Sequence, residues 1–443
     1  MEIGFKDFRG FHDQRPVRIA PITMLVGENS AGKTSFLAGL KYLLDLLDRH
    51  ADASFNKEPF QLGTFQQIAH HRGGRAGRAR KVQIDFLANF NVGRRRRLST
   101  SNLVDARISL VLSSSESLAN ITQITIISDN IRLLVDRRGG KTELSLNIDD
   151  TLTVPIDDSV SRFFETRGDL AVTFAFLLRE IHFSIYHFFE ERREGFTEEQ
   201  AQRLTQFSEL VDGIATQGTF SGIATAPIRF RPLRVYTPGT EVEDSEGSHV
   251  PFELAKLARA RDKAQWERLK DELEQFGKRA DLFKSIDLKS FGTTSSDPFQ
   301  IQFSNDGPKA NIVDLGYGVS QVLPLLYEIV SGARESWYLI QQPEVHLHPK
   351  AQAALGQFFV ERSISAKQNF VLETHSDFIL DRARIAVREG KLDPSDVSIL
   401  YFERDRLENR ITQIELDDAG SPISPPASYR DFFIGEQMRN IGI

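Results

Sequence analysis

Cysteine is absent from the 443 residues, and methionine and tryptophan are scarce, at 3 and 2. Without thiols the chain has neither a disulfide framework nor a thiolate metal site, which agrees with a reducing compartment. Long apolar runs are missing too. The longest fall well short of the ~20 residues that cross a bilayer, so no membrane span is expected. Met1 leads straight into an alternating segment, without the basic and then apolar order of a signal peptide, and a cytoplasmic location is expected. A strong excess of one charge is also lacking. The net charge of −6 argues against a uniformly basic nucleic-acid coat but leaves room for a local basic patch. Hydrophobic residues at 40% and charged residues at 26% are ordinary for a soluble chain, and the length suggests about two or three structural units.

Against this plain background, Met-Leu-Val-Gly-Glu-Asn-Ser-Ala-Gly-Lys-Thr from Met24 to Thr34 fits the P-loop template G-x-x-x-x-G-K-[ST]. Gly27 and Gly32 let the backbone wind tightly enough for successive N–H groups to point at phosphate oxygens. Glu28, Asn29, Ser30 and Ala31 fill the loop between them, and Ser35 follows. Lys33 is expected on the solvent side of the empty loop, from where it reaches the β- and γ-phosphates of ATP, and Thr34 offers its hydroxyl to Mg²⁺. Phe36, Leu37, Leu40, Leu43, Leu44 and Leu47 recur at helical spacing, so a helix begins at the loop with its N-terminal dipole toward the phosphates.

The alternation predicts strands over Ile3 to Phe8, Val17 to Ala20 and Ile22 to Val26. A loop is expected over Gln61 to Ile68, with Gln66 and Gln67 as candidates for the glutamine that reaches the metal in ABC-type ATPases. Strands over Val82 to Phe90, Ala106 to Leu112, Gln123 to Ile127, Ile131 to Val135 and Leu144 to Ile148 read as an antiparallel meander. The basic stretch from Arg72 to Lys81 and the run Arg94 to Arg97 flank one of these strands. They are either a backbone-tracking surface for nucleic acid or a pair of solvated hairpin tips, since no aromatic residue interleaves the arginines. Helices are expected from Asp157 to Val211 and from Val250 to Phe283, the latter with Leu254, Leu257, Leu269, Leu273 and Phe276 on one stripe. Between them, Ile228 to Tyr236 reads as a strand. No sustained heptads occur, so a long coiled coil is not expected.

In the C-terminal third, Gly316, Gly318, Ser320 and Gln321 resemble an ABC signature, whose small residues open a helix that contacts the nucleotide of another subunit. Trp337 to Gln341 is a buried-strand pattern ending in polar residues, followed by Gln342, Pro343, Glu344, His346 and His348. Phe370-Val-Leu-Glu-Thr-His-Ser is a second apolar strand that ends at His375. The two histidines after the first strand are expected to fix the loop there rather than to hold zinc.

Taken together, Phe8-Arg-Gly-Phe, Gly27 to Thr34, Gly316 to Gln321, Pro343-Glu-x-His-Leu-His-Pro and Glu373-Thr-His-Ser-Asp resemble an ABC-type ATPase head of the SMC, RecF and OLD group. The likeness is greatest to the stand-alone OLD-type ATPases of bacterial phage-defence loci, and the ending Tyr429 to Gln437 resembles the usual close of such chains. The resemblance implies an α/β head with a mixed sheet and an antiparallel β-meander, built from residues 1–154 and 286–443 and interrupted by a mostly helical insertion at 155–285. It also implies ATP and Mg²⁺ as cofactors, a homodimer or higher oligomer that sandwiches nucleotide, and a switch that acts on a separate effector protein. A RecF-like DNA-repair ATPase is the alternative. After His375 no D-x-D pair occurs, so a Toprim nuclease is not expected here.

One departure from the resemblance concerns the metal. The Walker B strand of such ATPases ends in an acidic residue, whereas this chain has Gln341 and Gln342. Mg²⁺ favours carboxylate ligands, so Gln341 removes charge where the metal needs it, and weak turnover is expected. Gln341, Gln342, Glu344 and His375 are the candidate catalytic residues, with Thr34 and Gln341 the candidate metal ligands.

Overall fold

Alternation and turn chemistry account for most of the first half of the chain. The computed structural model describes residues 1–48, 51, 53–74, 77–92, 102–115, 118–138, 141–148, 150–154, 170–192, 195–216, 220, 222–239, 241 and 244–429. The described residues form an α/β fold of two compact units. One comprises Met1–Ile19, Glu28–Gly222 and Phe402–Ile411, and the other Ala20–Gly27, Ile223–Tyr401 and Thr412–Ile443.

The first unit is built on an eight-stranded antiparallel sheet. Its strands are β1 (Glu2–Phe8), β2 (Phe11–Arg18), β4 (Lys81–Val92), β5 (Asn102–Ser115), β6 (Leu118–Ser128), β7 (Ile131–Arg138), β8 (Lys141–Ile148) and β9 (Asp150–Val154). The order β2-β1-β4-β5-β6-β7-β8-β9 is a meander from β4 onward, as the alternation predicts. Inward residues such as Ile84, Phe86, Ile108, Leu110, Ile124, Ile126, Leu133 and Leu146 are fully buried, while their chain neighbours are more exposed, the period-2 signature of a half-buried sheet. The P-loop helix α1 (Lys33–Leu47) buries Phe36, Leu37, Leu40, Leu43 and Leu44 completely. Rings pack around its start: Phe36 lies 5.6 Å from Phe5 and 5.6 Å from Phe402, centroid to centroid. Phe65–Ile68 forms a single helical turn, α2, where a loop is expected. The Gln67 carboxamide accepts from the Thr64 N–H at 2.7 Å and so caps that turn, while Gln66 is exposed. Helices α3 (Leu170–Glu191) and α4 (Glu198–Thr216) pair with each other, as the phenylalanine-rich pattern predicts, and α4 lies against β4. Residues 155–169, where Phe163 and Phe164 fall, lie outside the described residues.

In the second unit, β3 (Ile22–Gly27), β14 (Trp337–Gln341) and β15 (Asn369–Glu373) are nearly continuous apolar runs, the pattern of strands covered on both faces. They run parallel, with β15 between β14 and β3, in a sheet of order β10-β14-β15-β3-β16-β17 that includes β10 (Gly222–Thr225), β16 (Val397–Asp405) and β17 (Glu408–Ile414), of which Gly222 and Phe402–Ile411 are counted with the first unit. Antiparallel β11 (Ser285–Ser290), β12 (Phe299–Ser304) and β13 (Ala310–Asn311) make a small separate sheet. Helices α5 (Val250–Arg259), α6 (Ala264–Ala280), α7 (Tyr317–Ser331), α8 (Pro349–Ala366) and α9 (Asp377–Arg388) complete the unit. Leu254, Leu269, Leu273 and Phe276, four of the five residues of the expected stripe, are buried in its core with Leu326, Tyr338 and Phe370. Ile228 to Tyr236 is not a strand. Pro232 removes a ladder donor, and the segment makes one isolated bridge, Tyr236 to Phe299, instead.

Candidate nucleotide site

The last residue of β3, Gly27, has φ 119°, and Gly32, which precedes α1, has φ 99°. Both angles lie in the region that disfavours side chains. At Gly32 a Cβ would also lie 2.9 Å from Cζ of Phe11, so the turn closes only over glycine. Glu28, Asn29 and Ser30 are exposed, Ala31 is buried, and Thr34 is exposed at the start of α1, with Ser35 half-buried behind it. Lys33 departs from its expected solvent-side position. It is 3% exposed, and its Nζ donates to the Glu28 carbonyl at 2.7 Å, folding the amine back over the loop. The cause is local: five residues on a tight turn bring that carbonyl within reach of the ammonium group, and α1 supplies no carboxylate in its first turn.

The second constellation lies wholly in the second unit, at the carboxyl ends of the parallel strands. Gln341 closes β14 directly opposite Glu373 of β15, which in turn lies opposite Leu25 of β3. The Gln342 N–H donates to the Glu373 carbonyl at 2.8 Å, and Gln342 takes φ 44° to begin the turn. Gln341 and Glu373 are both buried, while the His375 ring is exposed. Glu344 spans the gap between the two strand ends. One carboxylate oxygen accepts from Oγ1 of Thr374 at 2.9 Å, and the other from the His375 N–H at 2.7 Å. His348 caps α8, its ring nitrogen 3.4 Å from the Lys350 N–H.

The signature-like segment is packed against the same turn. Of its four marked residues, Gly316 is exposed and Gly318, Ser320 and Gln321 are buried. A Cβ on Gly318 would sit 3.0 Å from the His346 carbonyl, and the Tyr317 and His346 rings lie 5.8 Å apart. Ser320 donates its hydroxyl to the Tyr317 carbonyl, 2.9 Å away in its own helix. Gln321 turns its carboxamide to the backbone of Arg229, accepting from the N–H at 3.0 Å and donating to the carbonyl at 3.4 Å. The groups that face outward at the helix start are thus Gly316 and Tyr317, the latter 65% exposed.

Arg229 is a site residue that sequence reading passed over. It is 3% exposed, and its guanidinium donates to the Gln341 carbonyl at 3.2 Å and the Gln342 carbonyl at 3.5 Å. Burial pulls its pKa down to about 10, and the nearby Glu344 carboxylate pulls it part of the way back, so the charge persists at neutral pH. No local signal sets it apart, because Arg229 reads as one of three arginines, with Arg231 and Arg234, in a segment where polar and apolar residues alternate.

The basic stretch after α2 is partly engaged inside the first unit. Arg72 donates to Asp7 at 2.6 Å and Arg78 to the Ala69 carbonyl at 3.0 Å. Arg94 to Arg97 lies outside the described residues, as does the chain beyond Tyr429.

A strand, a glycine turn at positive φ and a lysine opening a helix define a P-loop nucleotide-binding class. The chain belongs to the AAA domain family described as putative AbiEii toxin, Type IV TA system, whose pattern it matches over residues 22–381. It is therefore an ATPase-family protein of the P-loop type. No curated protein matches it. Among solved structures it is similar to an SMC head bound to the C-winged helix domain of ScpA, at 11% identity and TM-score 0.44, covering 94% of this chain and 98% of that one. It is also similar to an SMC head with an extended coiled coil bound to the C-terminal domain of ScpA from Pyrococcus furiosus, at 11% identity and TM-score 0.41, with 99% and 98% covered. The SMC head domain from Thermotoga maritima aligns at 10% identity and TM-score 0.38, with 94% and 98% covered. Likeness at this level is loose, and membership rests on the domain match. Among the described residues no helix is long and apolar enough to cross a membrane.

The family implies Mg²⁺ with the nucleotide, and the chain's donors suit it. Mg²⁺ takes oxygen ligands and is commonly held by one or two carboxylates together with phosphates. In the first unit Thr34 offers a hydroxyl, and in the second Gln341 offers an amide oxygen and Glu373 a carboxylate, all of them oxygen donors.

Proposed function

We propose that this chain is an ATP-binding and ATP-hydrolysing switch of the ABC type, most like the OLD-type ATPases, that dimerises around nucleotide and controls a separate effector in bacterial anti-phage defence. The observation that carries the reading is the loop from Glu28 to Gly32, held by a left-handed glycine and followed by Lys33 at the head of a buried helix. Exposed backbone N–H groups at a helix start, with a lysine close by, form an anion cradle suited to a triphosphate. The family's description, with its toxin and Type IV TA wording, supports the defence part.

In this reading residues 1–154 and 286–443 make the head and 155–285 the insertion. Lys33 and the loop amides of Asn29 to Gly32 bind the phosphates, with Thr34 and Ser35 beside them, whereas the Glu28 N–H already donates to the Phe402 carbonyl at 3.1 Å. Bound Mg²⁺ supplies charge neutralisation at the phosphates. Gln341, Gln342 and His375 are the strand-end groups assigned to the metal and the attacking water, and Glu344, with both oxygens already accepting hydrogen bonds, positions the His375 segment rather than taking a proton. Gly316, Gly318, Ser320 and Gln321 form the helix start offered to a second copy, with Gly316 at its surface. The effector would use the helical insertion, where Phe176, Phe183 and Tyr186 of α3 are 53%, 45% and 50% exposed. Calorimetry with ATP, paired with light scattering of the same samples, tests the reading. Binding in the micromolar range with a doubling of mass is expected, and a folded protein that takes up no ATP overturns it.

A further inference from the structure

Resting on that reading, we propose that Glu373 is the carboxylate that holds the divalent cation, in place of the acid missing at Gln341. Three observations in the second unit carry this. Gln341 and Glu373 are register partners on parallel strands, so their side chains leave the sheet on the same face. Both close their strands at the edge where β3 ends in Gly27.

The third observation is strand order. β15 lies between β14 and β3, so Glu373 is one strand from β3 whereas Gln341 is two strands away. With neighbouring strands ~4.8 Å apart, the carboxylate of Glu373 starts roughly 5 Å nearer the phosphate-loop strand than any group at position 341. Moving the acid one strand inward keeps a negative charge on the correct face and edge. Glu373 is 7% exposed, so a cation there would be sheltered from bulk water, where a carboxylate contact is strongest. Gln341 then serves as a neutral oxygen donor beside it. The assignment supplies charge for the metal without placing a proton acceptor at position 341, so tight Mg²⁺-dependent binding and slow turnover coexist.

The test is the enhancement of ATP affinity by Mg²⁺, measured by calorimetry on the full chain with MgCl₂ or with EDTA. In wild type, Mg²⁺ is expected to tighten binding. Glu373→Gln should reduce that enhancement by about tenfold or more, and by clearly more than Gln341→Ala, which removes a neutral oxygen donor and no charge. The double variant Glu373→Gln/Gln341→Glu should recover part of it. An unchanged enhancement in Glu373→Gln, or its loss in Gln341→Ala instead, overturns the proposal. Should Glu373→Gln fail to fold, Glu373→Asp decides. Its shortened carboxylate should weaken the Mg²⁺ enhancement more than the Mn²⁺ enhancement, because Mg²⁺ tolerates little departure from its tight octahedron, and an unchanged ratio overturns the assignment. ATP binding in EDTA reads the phosphate loop alone. Wild type binding in EDTA and losing that binding in Lys33→Ala keeps the nucleotide reading standing even where the Glu373 proposal falls, and no binding in either medium removes both.

Discussion

Arg229 donates from its guanidinium to the main-chain carbonyl of Gln341, 3.2 Å away, while its own backbone is held on both sides by the Gln321 carboxamide. One buried residue in an irregular segment therefore ties the start of α7 to the end of β14. A planar guanidinium reaches two carbonyls in a way that a single ammonium does not. Arg229→Lys is expected to lower kcat for ATP about ten- to a hundredfold with KM little changed, because the turn from Gln341 to Glu344 loses its alignment while the phosphate loop keeps its own. Equal kcat in variant and wild type would sink the positioning role.

Lys33 is buried, with its amine on the Glu28 carbonyl. Lys33→Ala should cost about 3 kcal/mol of ATP binding, roughly a hundredfold in Kd, by removing a charge-assisted phosphate contact. The loss of stability should be smaller, about 1 kcal/mol, because the Glu28 carbonyl lies in an exposed loop where water replaces the amine. Calorimetry and a denaturant melt of the same preparation separate the two effects. Wild-type affinity in the variant would remove the P-loop assignment.

Gln341→Glu sets a second carboxylate directly opposite Glu373. Restoring preorganised charge should raise steady-state phosphate release, by up to the ~10²-fold that loss of such a group typically costs. Brisk hydrolysis by the sequence as it stands, with no gain in the variant, would show that no proton acceptor is missing at this strand end.

Tyr317 and Gly316 are the outward groups of the signature-like helix start, whereas Ser320 is engaged within the helix. Tyr317→Arg is therefore expected to reduce ATP-dependent dimerisation by about tenfold or more, while Ser320→Ala acts mainly on stability. Light scattering against protein concentration reads the difference. A dimer untouched by Tyr317→Arg would move the contact off this helix.

In the first unit Asp7 accepts from Arg72 at 2.6 Å and sits 2.8 Å from Nδ1 of His12. Burial raises its pKa, but the bonds to Arg72 and His12 outweigh that and leave it below the ordinary carboxylate value. A lowered folded pKa means that the unfolded chain binds the proton first. The stabilisation is thus present above about pH 4 and lost as pH falls through the folded value. Arg72→Ala should cost about 1 kcal/mol at neutral pH and move the acid unfolding midpoint upward, and an unshifted midpoint in acid titration followed by circular dichroism would contradict it.

The sequence by itself determined the features whose physics is local. Glycines at positions 27 and 32 around a short loop, an apolar strand before them and a helical stripe after them define the phosphate loop within one stretch of chain. The meander from β4 to β8 follows from period-2 alternation, because each strand pairs with its chain neighbour, whereas β9 was not legible in the sequence. Even the strand ends at Gln341 and His375 were legible as apolar runs stopping at polar residues. Tertiary structure alone decided which of those ends lie side by side. β15 enters between β14 and β3, and such an order is set by packing of parallel strands distant in the chain rather than by any local preference, so the pairing of Glu373 with Gln341 had no sequence signature. Burial of Ser320 and Gln321 depends on which face of α7 meets the core and the 229 segment, and a run of small and polar residues does not specify that face. Arg229 escaped for the same reason. An arginine is tolerated in the interior only where carbonyls from another part of the chain arrive to satisfy it, and those carbonyls belong to residues more than a hundred positions away.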